Sequence, residues 1–330
     1  MNAAVTRFDT GDHEALDALA GSLSVLPRDC LPASRDRLEA YWKRSVLAAA
    51  GGAPAVRVET GGGVTGLAVY RHLDWDTDVL GIPAGRVSVA AVGGGPARER
   101  RTAARALAAR MVETAREMGD VHVSVRLDAR EPPVIQGFEG AGFETVDAIL
   151  TLIRDLDREG LDPVEEGAAR DAVEADIPAL RSLAASGFVY DRFHNDPTLG
   201  AGAADALHAA WVENAVRGNT GCGVLVAESG GAPAGFFILG EDSAARDTLG
   251  FGVGTLVLIT VGAAYRRRGL AHVLSVASAR RLHDRGNRFV EVGTQLANVP
   301  ASAVYLASGF RLASTGVSLR WAAAGGEGSA

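Results

Sequence analysis

Residues 258–271 read LITVGAAYRRRGLA, and the fold is decided there. The stretch opens as a run of apolar and β-branched residues, the pattern of a buried strand. Arg266, Arg267, Arg268 and Gly269 follow, and Leu270 and Ala271 lead into HVLSVASARRLHDR, whose apolar spacing is helical. A strand that feeds through a basic, glycine-bearing turn into a helix makes an anion site. The first helical N–H groups have no partner inside the helix, and the helix dipole adds partial positive charge at the same end. A pyrophosphate suits such a turn, and the strand alongside can hold an extended ligand arm by main-chain hydrogen bonds.

Working outward, 289–295 reads as another strand, 299–307 as a helix, and 308–310 as a turn into a last strand ending near Trp321. Upstream, 223–228 and 235–239 flank Ser229-Gly-Gly-Ala-Pro as a hairpin. Two helices, 177–185 and 203–218, enclose the loop GFVYDRFHNDPTL at 187–199. The order strand, glycine turn, helix, strand, short helix, Gly-Phe, strand also occurs at 85–153, and the endings GAGFETVDAILTLI and LASGFRLASTGVSLRW can be laid on each other. A duplicated domain explains this repeat. Residues 12–50 add helices interrupted by Pro27 and Pro32, 56–70 a hairpin, and 73–85 (LDWDTDVLGIPAG) a loop. The expected division is a first domain at 1–155, a charged linker at 156–168, a second domain at 169–321 and a disordered tail at 322–330. The fold class is α/β, an α+β arrangement around a mixed sheet.

The chain has 330 residues, 47% of them hydrophobic, and a net charge of -7. That is ample for two cores, and an acidic chain makes a poor general binder of nucleic acid, so any basic site is local. The cysteines, Cys30 and Cys222, form no disulfide framework and fit no metal spacing, so no metal is expected. No apolar run reaches membrane-spanning length, and the N-terminus lacks a signal-peptide pattern. These features point to the cytoplasm and away from membrane partners, and they are compatible with a homodimer.

The second half resembles the GNAT family of acyl-CoA transferases. The residues that carry the likeness are Arg266, Gly269 and Ala271, in the pattern Arg/Gln-x-x-Gly-x-Gly/Ala, and downstream Asn298 and Tyr305-x-x-x-Gly309-Phe310. Ala263 departs from the family's usual proline. The segments YDRFHNDPTLG, WVENAVRG and VGTQLANVPASAVYLASGF resemble the group that N-acetylates nucleotide-linked amino-dideoxy sugars such as TDP-fucosamine. The likeness is clear over 188–320 and looser over 70–153. It implies tandem GNAT-like domains, the first degenerate, with acetyl-CoA as donor and a small-molecule amine as acceptor.

On that reading, residues 266–271, including the side chains of Arg266, Arg267 and Arg268 and the backbone at Gly269, Leu270 and Ala271, wrap the CoA pyrophosphate. Ile259 and Val261 hold the pantetheine arm through their main chain, although as side chains both also read as plain core. Tyr305 is the candidate general acid, against a buried tyrosine packed beside Phe310. Asn298 is either a pantetheine contact or a simple helix N-cap. Glu291, His194 and a water chain are the candidate bases. Tyr190, Arg192, Phe193, His194 and Asp196, with Gln295, are expected at the acceptor, against a loop whose aromatics plug the core. In the first half Gly93-Gly94-Gly95-Pro96 replaces the basic turn, and no CoA is expected there. Competing functions are N-acetylation of another small amine (an antibiotic or natural-product intermediate, an amino acid), an acyl-CoA-binding module without turnover, and protein acetylation.

Overall fold

The computed structural model describes residues 3–63, 65–159, 167–200, 202–221 and 223–323. In chain order the first elements are β1 (Ala3–Arg7), α1 (His13–Ser22), α2 (Arg35–Ala50), β2 (Ala55–Thr60), β3 (Thr65–His72), α3 (Asp74–Leu80), β4 (Ala84–Val92), α4 (Ala97–Met118), β5 (His122–Asp128), α5 (Pro132–Glu139) and β6 (Glu144–Asp155). They continue with α6 (Leu156–Glu159), β7 (Arg170–Asp171), α7 (Ile177–Gly187), α8 (Ala203–Val216), β8 (Gly223–Ser229), β9 (Ala232–Glu241), α9 (Ser243–Leu249), β10 (Gly252–Val261), α10 (Leu270–Asp284), β11 (Asn287–Gln295), α11 (Val299–Ala307) and β12 (Arg311–Ala322).

The chain forms two compact units. One holds Met1–Ala148, Asp196–Thr198 and Thr315–Ala330, and the other Ile149–Asn195 and Leu199–Ser314. The expected boundaries at 155 and 169 therefore need correction, because the closing strand of each repeat is divided between the units. Residues 149–155 of β6 pair antiparallel with β11 in the second unit. Residues 316–322 of β12 pair antiparallel with β5 in the first. Within the first unit the strand order is β1-β2-β3-β4-β5-β12, and within the second β6-β11-β10-β9-β8-β7. Each is mixed: β4–β5 and β10–β11 are parallel pairs beside antiparallel neighbours.

Three local expectations also change. Within 73–85 the chain forms α3, which ends at Gly81 in the left-handed region. The expected linker begins as α6, and 160–166 lie outside the described residues. Of the expected tail, Ala322 closes β12 and the Ala323 N–H donates to the Val121 carbonyl at 2.8 Å; 324–330 lie outside the described residues.

In the first unit, α4 carries Ala103, Leu107, Met111 and Ala115 four residues apart, so all face the sheet and all are fully buried. α5 crosses α4 at Gly137, where a Cβ would stand 2.4 Å from that of Ala104. Leu319 and Trp321 of β12 complete this core. In the second unit, Leu274, Ala279 and Leu282 of α10 pack with Leu256, Val290 and Val292 on one face of the sheet. Leu180, Ala184, Val212 and Ala215 of α7 and α8 pack on Val224, Val226, Phe236 and Ile238 of the other.

Candidate functional site

The site starts from an irregularity in β10. Its pairing with β9 runs from Gly254↔Glu241 to Val261↔Gly235, with a register shift between Leu256 and Leu258 that leaves Val257 as an extra residue. Such a bulge bends the strand. The parallel pairing of β10 with β11 ends there, at Leu256↔Val292. Beyond that pair the strands diverge: β10 runs on beside β9 to Val261, and β11 continues beside β6 to Gln295. A wedge opens between them.

Alternation along the strand fixes what faces the wedge. The Gly262 N–H donates to Ala234 of β9 at 2.9 Å. Main-chain groups alternate between the two edges of a strand, so Thr260 and Leu258 also face β9, and Ile259 and Val261 face the open edge. These are the two residues expected from the sequence. The Val261 carbonyl accepts from Arg266 Nε at 3.2 Å, which ties the strand end to the basic turn.

After β10 comes a single 3₁₀ turn, Ala263–Tyr265, and then the arginines. Arg267 has φ 61° and Gly269 φ 81°, both left-handed. Arginine rarely adopts this conformation, and holding it costs on the order of 1–3 kcal/mol. Left-handed residues two apart curl the backbone so that successive N–H groups converge, an anion-binding concavity. Gly269 is the N-cap of α10, and the first α-helical hydrogen bond closes from Val273 N–H to the Gly269 carbonyl at 3.0 Å. The N–H groups at 269–272 precede it and have no helical partner. Arg266, Arg267 and Arg268 are exposed, and the Arg268 guanidinium lies over the Tyr265 ring.

Tyr305 on α11 belongs to the buried cluster that holds Leu256 and Val292, with Ile259, Val261 and Leu270 at its margin. Its side chain is nearly enclosed, burial raises its pKa, and Phe310 meets its ring edge-on at 5.7 Å. Asn298 Oδ1 accepts from Ala301 N–H at 3.2 Å, which is the N-cap role. Glu291 sits opposite Thr255 on β10 and Ile153 on β6, one position before the wedge. Val290 and Val292 point to the α10 face, so alternation turns Glu291 to the face covered by α7 and α8. Gln295 ends β11 beside Ile149 and is half-buried.

The loop after α7 starts against β10. Phe188 packs in the cluster that includes Val257 and Leu258, and a Cβ on Gly187 would meet the Thr260 hydroxyl at 2.1 Å. Tyr190 is exposed, Arg192 lies over Phe193 at 4.4 Å, and Phe193 meets His208 edge-on. The aromatics thus stack within the loop and on α8. Two expectations for this loop need correction. Asp196 is buried in the first unit, with Oδ1 3.0 Å from Arg320 Nε and Oδ2 2.8 Å from His122 Nε2, and it also accepts from Thr198. Burial opposes its charge, yet the hydrogen bonds from His122 and Thr198 outweigh that and hold it well below the usual carboxylate range. It is an internal anchor and leaves no oxygen for an acceptor. His194 is held at both nitrogens, Nδ1 2.5 Å from Asp191 Oδ2 and Nε2 3.1 Å from Asp205 Oδ1. Burial works against its charge, but the two carboxylates win and raise its pKa, which is wrong for a free base.

Sequence reasoning passed over Asp191 and His208. With His194 they place ligand-type atoms within 4.8 Å of one another. The signal was present as Asp191-x-x-His194 followed by His208 on the next helix, but attention to cysteine spacing missed it.

The first unit repeats the wedge and closes its mouth. β4 and β5 pair in parallel only over 84–87, and a register shift after Val87 bends β4 away. Its glycine turn is filled from within: Gly93 N–H donates to Thr65, Gly94 N–H to Ser22, and Arg100 donates to the carbonyls of Gly93 and Val92.

Residues 188–310 match the acetyltransferase (GNAT) family. Over 195 residues, 58% of this chain and 78% of the relative, the chain is 29% identical to a dTDP-fucosamine acetyltransferase of Escherichia coli O6:H1. Among solved structures, a tandem GNAT protein from the clavulanic acid biosynthesis pathway aligns over 97% of this chain and 98% of its own, with TM-score 0.55 and 20% identity. A GCN5-related N-acetyltransferase from Sphaerobacter thermophilus aligns over 97% and 95%, with TM-score 0.61 and 16% identity. The fold is thus a mixed α/β fold with GNAT structural neighbours, a tandem GNAT protein among them. Among the described residues no helix is long and apolar enough to cross a membrane.

Proposed function

We propose that the second unit transfers an acetyl group from acetyl-CoA to the amine of a small molecule, and that the acceptor is a nucleotide-linked amino-dideoxy sugar. The observation that carries the reading is the wedge: an open strand edge at Ile259 and Val261 that runs into a left-handed basic turn at a helix start. An extended thiol arm ending in a pyrophosphate fits those two features in that order. The acceptor class rests on the likeness to the dTDP-fucosamine acetyltransferase.

When bound, acetyl-CoA supplies an activated acetyl thioester. The N–H groups at 269–272 and the arginines at 266–268 hold its pyrophosphate. Ile259 and Val261 present main-chain groups to the arm, and an N–H aimed at the thioester carbonyl stabilises charge developing on that oxygen. Asn298, already the cap of α11, has its side-chain NH₂ left for the arm. As the amine nitrogen bonds to the carbonyl carbon, the carbon–sulfur bond breaks and Tyr305 gives its phenol proton to the departing sulfur. The surplus proton on nitrogen goes to Glu291 or to water, and solvent returns a proton to Tyr305. Tyr190, Arg192 and Gln295 remain as acceptor contacts. The first unit, with its turn already filled, does not take CoA.

The test is a panel of amines incubated with acetyl-CoA, read by free-thiol release and by mass. Acetylation of amino-sugar nucleotides above all other amines supports the full reading. Turnover only with other amines moves the acceptor, and coenzyme A binding with no turnover on any amine leaves a binding module.

A further inference from the structure

Outside the transfer site, the packing of the loop on α8 gathers a second set of chemistry-bearing groups. His208 is 2% exposed. Its Nδ1 lies 2.7 Å from the Ala204 carbonyl, which fixes the proton on Nδ1 and leaves Nε2 as a bare lone pair. That lone pair makes no hydrogen bond among the described residues and faces Asp191 Oδ2 at 3.8 Å. The His208 lone pair thus faces a carboxylate oxygen in a buried place, and among the described residues the only proton between these groups is the one His194 Nδ1 shares with Asp191 Oδ2. Phe188 stacked on His208 at 4.4 Å closes one side.

The groups around this pair are themselves held in place. Asp191 Oδ1 accepts the N–H groups of Phe193 and His194, at 2.9 and 3.3 Å, which orients the carboxylate and leaves Oδ2 pointing inward. His194 Nε2 rests on the Asp205 carboxylate, so its Nδ1 is the inward nitrogen. Metal-bound histidines commonly hold their other nitrogen on a carboxylate or a carbonyl, and here one does each. We propose that His208 Nε2, His194 Nδ1 and Asp191 Oδ2 bind a divalent transition metal of the zinc type, with water as fourth ligand, pinning the 188–195 loop to α8. Two imidazoles and a carboxylate are a donor set for zinc, with metal–ligand distances of about 2.0–2.2 Å. Such distances put tetrahedral ligands roughly 3.4 Å apart. The 3.8 Å pair closes slightly to reach this, and the 2.5 Å His194–Asp191 contact opens as the metal replaces its shared proton. The partly exposed His194 leaves an entry path. The site stands whether or not the acetyl-transfer reading holds.

The test uses the full chain, stripped with a chelator and exchanged into chelator-free buffer, titrated calorimetrically with zinc chloride alone. One equivalent per chain is expected, with Co²⁺ giving the intense visible bands of a tetrahedral site. His194→Ala removes that equivalent, and Asp205→Asn, which changes only the outer ring at a half-exposed side chain, weakens it by about 10–100-fold. Both side chains are reachable from solvent, so circular dichroism is expected to show an intact fold. No stoichiometric uptake, which leaves His194 as a charged bridge between Asp191 and Asp205, overturns the proposal. So does uptake that both variants leave unchanged.

Discussion

Under the proposed mechanism, burial and function pull in opposite directions at Tyr305. Enclosure raises its pKa, which makes it a weaker acid toward water, but the same enclosure raises that of a thiol leaving group held beside it, so the gap between the two is narrower than burial of the tyrosine alone would leave it. Removing only the hydroxyl therefore separates the roles. Tyr305→Phe keeps the edge-on packing against Phe310, and we expect unchanged coenzyme A affinity with kcat reduced about 10²–10⁴-fold. Full turnover in that variant assigns Tyr305 to packing alone. Gly269 gives a second, purely conformational probe, since a Cβ there meets nothing within 4 Å while φ is +81°. Gly269→Ala costs roughly 1–2 kcal/mol in that conformation. The chain relieves the strain by relaxing the turn, which rotates the N–H groups away, so calorimetry should show coenzyme A affinity reduced by up to about tenfold. Unchanged affinity would separate the turn from donor binding. At this scale the turn, Ile259 and Val261 were legible, because residue type and alternation carry them. The internal partners of Asp196 were not, since Arg320 lies at the far end of the sequence.

Among the elements, the long helices declare themselves by period, α4 most plainly, and the hairpins by their glycine turns. α3 and α9 did not, because each has 7 residues and offers too short a window for a period. The wedge was also hidden. Residues 258–261 read as one uninterrupted strand, and only the register against β9 shows that Val257 is the extra residue. Element junctions can be tested through charge. Asp176 joins β7 to the start of α7, accepting from Arg170 Nη1 and Nη2 at 2.7 and 2.9 Å and from Val173 N–H at 2.9 Å. The Arg170 hydrogen bonds, against a smaller cost of burial, hold its pKa below the ordinary 3.8. A carboxyl depressed on folding stabilises the fold above its unfolded pKa and loses that contribution as pH falls through the folded value. Arg170 is partly exposed, so about 1–2 kcal/mol is the reasonable scale. Asp176→Asn should be less stable than the parent by that amount at pH 7, and denaturant titrations should show the gap closing below about pH 4. A gap independent of pH would mean that packing carries the effect.

For the molecule as a whole, the repeat was readable and the way it closes was not. Both closing strands follow a Gly-Phe pair and share one apolar pattern, so nothing in either distinguishes its own sheet from the other. The structure puts 149–155 beside β11 and 316–322 beside β5. A cut in the charged stretch after 155 therefore does not release two complete domains, as the sequence boundary would suggest. A fragment of 1–155 leaves β5 without a neighbour on one edge and removes Leu319 and Trp321 from its core. Losing large buried side chains costs about 2–5 kcal/mol each, which is comparable with the whole stability of an ordinary domain, about 5–15 kcal/mol. The bared edge is also a template for aggregation. The fragment alone is expected to be unfolded or associated by circular dichroism and light scattering. The same fragment carrying residues 315–323 on a flexible linker after 148 is expected to be monomeric, with cooperative unfolding. Should 1–155 fold alone to the same stability, the last strand is an accessory to the first unit rather than part of its sheet.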